Sequence, residues 1–267
     1  MSAERAGFMV AVSMALGVLL GSKLSLTIGA VALQEPVIGL LIIISAAVTV
    51  VSLLTKAMPV SISQIVLSSG IGFAIVSGSL SSYVSSQALF WVVSPLMVFL
   101  ITPLAYRLLR GVIKRATSVE ALDITLRVSV NLSLILLAFW RGANLGGILM
   151  GTIVTTSGYW KFAALTAALV LISCLWAPGL LVFRGDMTYY PDPAAFASRA
   201  LSSLIGVWTG LLLGVTASFT QLFYASDLYF RSRMLVSRGY IAKKLLISWA
   251  PAVSSGLLAV LLFLLHG

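Results

Sequence analysis

Pro59-Val60-Ser61-Ile62-Ser63-Gln64 is a short polar stretch that lies between apolar segments and recurs later in the chain. The second copy is Thr216-Ala217-Ser218-Phe219-Thr220-Gln221, so both copies contain Ser-x-(Ser/Thr)-Gln at a spacing of 157 residues. A tryptophan follows each copy at a similar distance: Trp91, in Phe90-Trp91-Val92-Val93-Ser94-Pro95, and Trp249, in Ser248-Trp249-Ala250-Pro251. Because the polar motif and the tryptophan that follows it recur together at a similar spacing, they predict an internal duplication.

The composition is that of a polytopic membrane protein. Of 267 residues, 60% are apolar and 9% are charged, and the mean hydropathy is +1.10, whereas soluble domains carry about 25% charged residues. Hydroxyls and amides inside apolar segments are costly unless something satisfies them. Two such motifs in two homologous halves are typical of a transporter whose site lies between its repeats.

The sequence contains few of the residues that most catalytic sites and metal sites need. Cys174 is the one cysteine, which excludes an intrachain disulfide and a Cys-based metal site. His266, at the extreme C-terminus, is the one histidine, which leaves almost no material for a His-based metal site or a Ser-His-Asp triad. The net charge of +10 is explained by basic cytoplasmic loops rather than by nucleic acid. We expect no enzyme activity, no cofactor, no metal and no nucleic-acid partner.

Apolar segments predict an all-α fold. Two of them, 59–80 and 216–230, begin at the polar motifs and are predicted as re-entrant hairpins or broken helices, with an ordinary helix as the alternative for 59–80. Residues 7–21 are short for a span and predict a shallow helix. The predicted full spans are 36–54, 88–109, 124–140, 160–183, 200–215 and 240–265.

The distribution of cations predicts that the two halves are inverted. The helix after the first hairpin ends in a cationic cluster, whereas the helix after the second hairpin begins with one. If cations remain in the cytoplasm, these equivalent helices run in opposite directions. We therefore predict two inverted repeats, 1–115 and 116–267, in one transmembrane domain. The clusters are Arg107, Arg110, Lys114 and Arg115, and Arg231, Arg233, Arg238, Lys243 and Lys244.

The motifs resemble those of the inorganic phosphate transporter (PiT) family, which are sodium- or proton-coupled anion permeases. The stretch 59–64 resembles the family's Pro-Val-Ser-Thr-Thr-His signature, and 90–115 is similar to the helix that follows it. Gly142-Ala143-Asn144 resembles the start of the Gly-Ala-Asn-Asp signature, and 239–265 is similar to the closing helix. The resemblance implies a multi-pass permease of the cell membrane that moves inorganic phosphate or a similar small oxyanion by alternating access.

The resemblance also implies which residues bind the substrate. In the family, the signatures of both halves build phosphate and sodium sites at the repeat interface. Gln64 and Gln221 occupy the positions of the family's histidine. The residues implicated by position are Ser61, Ser63, Gln64, Asn144, Ser218, Thr220 and Gln221.

Three departures from the family's pattern bear on ion coupling. A first Gly-Ala-Asn-Asp unit is expected before Met1, so the start site is misplaced, a separate chain supplies the unit, or the unit is lost. Leu145 replaces the aspartate that would hold sodium. Arg141 adds a positive charge, and we hypothesise that it substitutes for sodium and binds the anion; the alternative is an arginine at a helix end whose charge reaches the interface.

Two further possibilities stay open. Asp227 is either a proton carrier, as an acid in a membrane segment suggests, or the partner of Arg231 in a helical ion pair; Asn144 and Asp227 are thus the candidates for binding a coupling ion, sodium or a proton. From a different class of function, the chain is a non-transporting membrane subunit or degenerate paralogue. Such a subunit would dimerise with, or complete, another chain that carries the missing unit. The family resemblance separately implies a homodimer of this chain.

Overall fold

The computed structural model describes residues 3–21, 44–50, 52, 61–76, 78, 82–153, 159–176, 192–231, 239, 243 and 246–266. Within these residues the regular structure is helical and includes no strand, which confirms the all-α prediction. Pro59, Val60, most of the predicted span 36–54 and most of the loop before Asp192 lie outside the described residues. The elements are α1 (Ala3–Leu16) with a π-helical turn (Gly17–Gly21), α2 (Ile62–Val76), α3 (Ser82–Ile113), α4 (Val119–Ile153), α5 (Tyr159–Trp176), α6 (Pro193–Leu212), α7 (Phe219–Arg231) and α8 (Ala250–His266).

Among the described residues, three helices are long and apolar enough to cross a membrane. They contain the segments Ser85–Ile113, Val119–Gly147 and Pro193–Leu212, which belong to α3, α4 and α6. Leucines and valines are exposed along α3 and α4, as expected for surfaces that face lipid rather than water. The protein is therefore a membrane protein.

The helices recur in both halves at the predicted spacing. Shifted by 157 residues, α1 falls on α5, α2 on α7 and α3 on the stretch that contains α8. The equivalent residues Ser61 and Ser218 touch each other. The two landmark tryptophans also touch, because Trp91 and Trp249 pack edge to face with their ring centroids 6.2 Å apart. Both contacts are those expected of two repeats related by a pseudo-two-fold axis that passes between the paired residues.

Each short helix packs on a helix from the other half. α2 lies along α8, and α7 lies along α3. The α2–α8 contact is close because glycine removes the side chain there: a Cβ on Gly72 would lie 2.4 Å from the carbonyl oxygen of Gly256. Nearby, the hydroxyls of Ser69 and Ser255 each donate to the Ile65 carbonyl at 3.0 Å. The repeats are thus interleaved rather than packed side by side.

Over the described residues, α2 and α7 are too short to cross the bilayer. They contain 15 and 13 residues, or about 22 Å and about 20 Å at 1.5 Å per residue, against a hydrocarbon core of about 30 Å. α2 is continuous through Gly70 and Gly72, so the turn of the first hairpin follows the helix, at Gly78, whose φ is +69°. Short helices that begin within the protein are the re-entrant elements predicted from the sequence.

The second polar motif breaks the chain between α6 and α7. After Leu212 the chain turns at Gly214, whose φ of +68° is a left-handed conformation that glycine adopts without strain. Residues 215–218 are not helical, and all four are buried. Irregular backbone at membrane depth is tolerated only where protein or a water-filled cavity surrounds it, and here protein does.

Several predicted helix boundaries are wrong, and two of them bear on the site. The span 124–140 was expected to end at the Gly142-Ala143-Asn144 motif, but α4 continues to Ile153. The span 200–215 in fact begins at Pro193, where the Asp192 side chain caps the helix by accepting from the Ala194 N–H at 2.9 Å. This boundary was missed because Arg199 was assigned to a polar loop, whereas the structure buries it inside α6.

α1 positions the motif of α4 through contacts between the two backbones. A Cβ on Gly142 would lie 2.0 Å from the Met14 carbonyl oxygen, and a Cβ on Gly17 would lie 1.9 Å from that of Phe139. Only glycine permits such an approach. Asn144 is two residues beyond Gly142 and is buried, so this glycine crossing fixes its depth in the protein.

Candidate substrate site

The two copies of the polar motif meet at the N-termini of α2 and α7. The carbonyl of Ser61 accepts from the Ile65 N–H at 3.1 Å, and that of Ser218 accepts from the Leu222 N–H at 3.0 Å, so each serine is the N-cap of its helix. The Ser218 hydroxyl donates to the Ser61 hydroxyl at 3.1 Å. Two helix N-termini, each with unsatisfied N–H groups and a positive dipole end, therefore face one another.

A backbone carbonyl brings α4 to this junction. The Ala217 carbonyl accepts from the Ser63 hydroxyl at 3.4 Å and from the Asn144 Nδ2 group at 3.2 Å. The Ser63 hydroxyl is also 3.2 Å from that of Ser61. The structure thus brings together Ser61, Ser63, Asn144 and Ser218, which are spread over more than half of the sequence, in one buried cluster. We call these four residues the polar junction.

Gln64 and Gln221 add two buried amides in the first turns of the same helices. Both side chains are 0% exposed, and within the described residues neither the Nε2 nor the Oε1 atom of either has a hydrogen-bond partner. Asn144 Oδ1 has none either. An unsatisfied buried polar group costs about 1–3 kcal/mol, so these five atoms, which have no partner within the described residues, are candidate contacts for a polar ligand.

Arg141 lies at the edge of the site rather than at the end of a helix. It is exposed and one turn before Asn144, and its guanidinium carbon is 5.1 Å from the ring centroid of Phe219, the first residue of α7. α4 continues well beyond it, so Arg141 is not at the end of a helix. That its charge reaches the membrane interface stays an open alternative. Thr220 is half-buried in the first turn of α7.

Asp227 lies outside the polar junction. It is eight residues after Phe219, about 12 Å along α7, and its carboxylate pairs with the guanidinium of Arg199 at 3.0 Å. The guanidinium also covers the ring of Phe223, 4.3 Å from its centroid. Arg199 on α6 is thus an ionic partner of Asp227 that the sequence analysis did not consider, and the side chain of Arg231 lies outside what the structure describes. The pair joins the two helices on either side of the break.

The sequence analysis missed Gln87, which holds the second motif in place. Gln87 was assigned to a loop, but α3 begins at Ser82 and buries it. Its Nε2 donates to the Thr216 carbonyl at 2.7 Å, and its Oε1 accepts from the Thr216 N–H at 2.8 Å. The sequence held one sign of this contact, a difference between the two copies of the motif. Thr216 has a backbone N–H that a side chain can bind, whereas Pro59, at the equivalent position, has none.

The fold and the site together define a membrane protein of duplicated, broken-helix architecture with a buried polar junction where the repeats meet. A solved structure titled "The sodium-dependent phosphate transporter" is similar to this chain, with a TM-score of 0.63 and 16% sequence identity over 98% of this chain and 98% of that chain. This similarity shows that the two share a fold, as the PiT resemblance implied. No protein-family model and no curated protein matches the chain.

Proposed function

We propose that this protein is a multi-pass permease of the cell membrane that moves inorganic phosphate or a similar small oxyanion by alternating access. The observation that carries this proposal is the contact between the N-cap hydroxyls of Ser61 and Ser218, beside the buried amides of Gln64 and Gln221. The shared fold with a phosphate transporter supports it.

The chemistry of the junction suits a partly protonated oxyanion. Helix N-termini and hydroxyls donate hydrogen bonds to an anion without adding a charge that would hold it too tightly. The amides of Gln64 and Gln221 offer both donors and acceptors, and an acid phosphate presents both oxygens and a hydroxyl. Binding would satisfy the buried atoms that the protein itself leaves without partners.

Alternating access requires two bodies that move around the junction. The packing supplies candidates: α2 with α8 on one side, and α3 with α6 and α7 on the other. Ser61 and Ser63 belong to the first group, whereas Ala217 and Ser218 belong to the second. A rocking motion between the groups would open the junction to one side of the membrane and then to the other.

Replacing Ser61 or Ser218 by alanine is expected to lower phosphate uptake into proteoliposomes by at least about tenfold, the effect of losing one hydrogen bond to an anion. The control is Ser226→Ala, because Ser226 is buried on α7 and its hydroxyl donates to the Phe223 carbonyl of its own helix at 2.8 Å. Labelled phosphate is the probe and sulfate the competitor.

Equal uptake by Ser61→Ala, Ser218→Ala and Ser226→Ala would contradict the proposed site. No uptake and no phosphate binding by folded wild-type protein would contradict the proposed function. The chain would then be better explained as a non-transporting subunit or degenerate paralogue that forms a dimer or completes another transporter chain.

For ion coupling, we propose that Arg141 supplies the positive charge that sodium supplies in the family. A guanidinium one turn from Asn144 lies close enough to attract an entering anion, and an intramembrane arginine normally faces a water-filled cavity or the protein interior. Leu145 offers no ligand for sodium, and Asp227 is already paired with Arg199.

Arg141→Gln is therefore expected to reduce uptake about tenfold or more, with little response to sodium in either the variant or the wild type. The control is Arg127→Gln on the same helix, since Arg127 is an exposed arginine paired with Asp123 at 2.8 Å. Uptake that rises with sodium and survives Arg141→Gln would show that a coupling cation, with Asn144 as its ligand, is used instead.

A further inference from the structure

Gln87 and Trp91 hold one residue of the broken segment, Thr216, through its backbone N–H and carbonyl groups. Gln87 bonds both the carbonyl and the N–H of Thr216, at 2.7 and 2.8 Å, and its Oε1 also accepts from the Thr216 hydroxyl at 3.1 Å. Trp91 Nε1 donates to the same carbonyl at 3.0 Å. Both side chains are buried on α3. We call the contacts of Gln87 and Trp91 with Thr216 the clamp. The clamp gives Thr216, which is not helical, backbone hydrogen bonds of the kind that a helix would otherwise provide.

The clamp connects the two repeats, because α3 belongs to the first and Thr216 to the second. In the sequence, the symmetry-related positions carry residues of other types. At the 157-residue spacing, Lys244 stands where the second half would need Gln87, and Pro59 stands where the first half would need Thr216. A proline has no N–H to donate, so the first motif cannot be held in the same way.

The clamped residue directly precedes two groups of the polar junction. The Ala217 carbonyl, one residue on, accepts from Ser63 and Asn144, and the Ser218 hydroxyl, two residues on, donates to Ser61. A shift of the Thr216 peptide would therefore displace both groups. Residues 215–218 lie outside the helices, and the Val215 N–H bonds to the Gly210 carbonyl at 2.8 Å before the clamp ties Thr216 to α3. The clamp therefore opposes such a shift.

We propose that Gln87, assisted by Trp91, is a positioning residue that fixes the second repeat's half of the substrate site to α3 of the first repeat. The segment from Thr216 to Ser218 then moves with α3, and the junction opens between it and Ser61 and Ser63. This inference rests on the proposed function, because it assigns Gln87 a role in organising that same site.

The first test compares transport by Gln87→Met with transport by Thr102→Val. Met keeps the volume and burial of Gln87 but removes all three of its bonds to Thr216. Thr102 is matched to it, because Thr102 is buried on the same helix and bonds across to α6 through Ser202 at 3.0 Å, away from the junction. The KM for phosphate is expected to rise at least about tenfold in Gln87→Met and to change less than about threefold in Thr102→Val.

The second test uses disulfide crosslinking to measure whether residues 216–218 keep their position, and it does not depend on transport. In a Cys174→Ser background, cysteines at positions 61 and 218 replace hydroxyls that are 3.1 Å apart, within reach of a disulfide. Oxidation is expected to crosslink them rapidly with Gln87 present and at least about fivefold more slowly with Gln87→Met. Trp91→Phe, which removes one of the two donors to the Thr216 carbonyl, should give an intermediate rate.

The two tests distinguish failure of the positioning role from failure of the proposed function. Equal crosslinking in Gln87→Met and Thr102→Val would overturn the positioning role even if the protein transports phosphate. Slower crosslinking by Gln87→Met in a protein that moves no phosphate would support the clamp while the proposed function fails. If Gln87→Met does not fold, Gln87→Glu carries both tests, because it keeps the acceptor for the Thr216 N–H and loses the donor to its carbonyl; wild-type crosslinking and KM in that variant would overturn the proposal.

Discussion

Asp227→Asn is expected to destabilise the protein by about 3–5 kcal/mol, the usual cost of leaving a buried charge without its partner. Arg199 is 0% exposed, and the carboxylate of Asp227, 3.0 Å away, compensates its charge. The ring of Phe223 is a weaker partner, since a cation–π contact contributes about 0.5–2 kcal/mol. The loss would appear as a lower midpoint in thermal unfolding of the detergent-solubilised protein.

The double variant Arg199→Met/Asp227→Leu is expected to recover most of that loss. Removing both charges also removes the cost of burying them, and apolar replacements of a buried ion pair are often neutral or stabilising. Met also keeps a long, flexible side chain against Phe223. Asp123→Asn is the control, because its pair with Arg127 is exposed and should contribute no more than about 1 kcal/mol.

The same variants test Asp227 as a proton carrier. A carrier must give up its proton during transport, whereas a structural pair holds α6 against α7 throughout the cycle. If the folded double variant transports phosphate with the pH dependence of the wild type, Asp227 carries no proton. An Asp227→Asn protein as stable as Asp123→Asn would contradict the structural role of the pair.

The repeat could be predicted because its signal is local and occurs twice. Ser-x-(Ser/Thr)-Gln keeps its spacing to a following tryptophan in both halves, and a duplication places equivalent residues around one axis. Ser61 and Ser218 were therefore expected at a common site before their contact was known. The grouping of Asn144 with them came from a family resemblance, and its depth depends on glycines at 17 and 142 that let two backbones touch.

Arg199 and Gln87 could not be predicted because their partners are distant in sequence. An arginine in a stretch that also contains prolines and aspartates favours a loop until a buried carboxylate is known to lie opposite it, and Asp227 is on the next helix. Gln87 bonds to a backbone group that is available only because the chain leaves the helix near Gly214. Hydrogen bonds to a break in a helix leave no periodic pattern in the sequence.

Gln64→Leu/Gln221→Leu is expected to make the protein more stable and unable to transport phosphate. Leucine is close to glutamine in size and removes four amide atoms that have no hydrogen-bond partner within the described residues. Since each unsatisfied buried group costs about 1–3 kcal/mol, the gain should be at least about 2 kcal/mol, and uptake should fall by at least about a hundredfold. Thermal unfolding and uptake measured on the same preparation check both effects.

Gln87→Leu is the informative control, because Gln87 is an equally buried glutamine whose amide is fully engaged with Thr216. The same substitution should therefore destabilise the protein at position 87 and stabilise it at positions 64 and 221. If leucine at 64 and 221 lowers stability as it does at 87, those amides have partners in the protein and are not reserved for a ligand. If it raises stability and leaves uptake intact, the substrate binds elsewhere. Stability gained together with transport lost is the result that only a binding site explains, because selection retains unsatisfied buried amides where a ligand uses them.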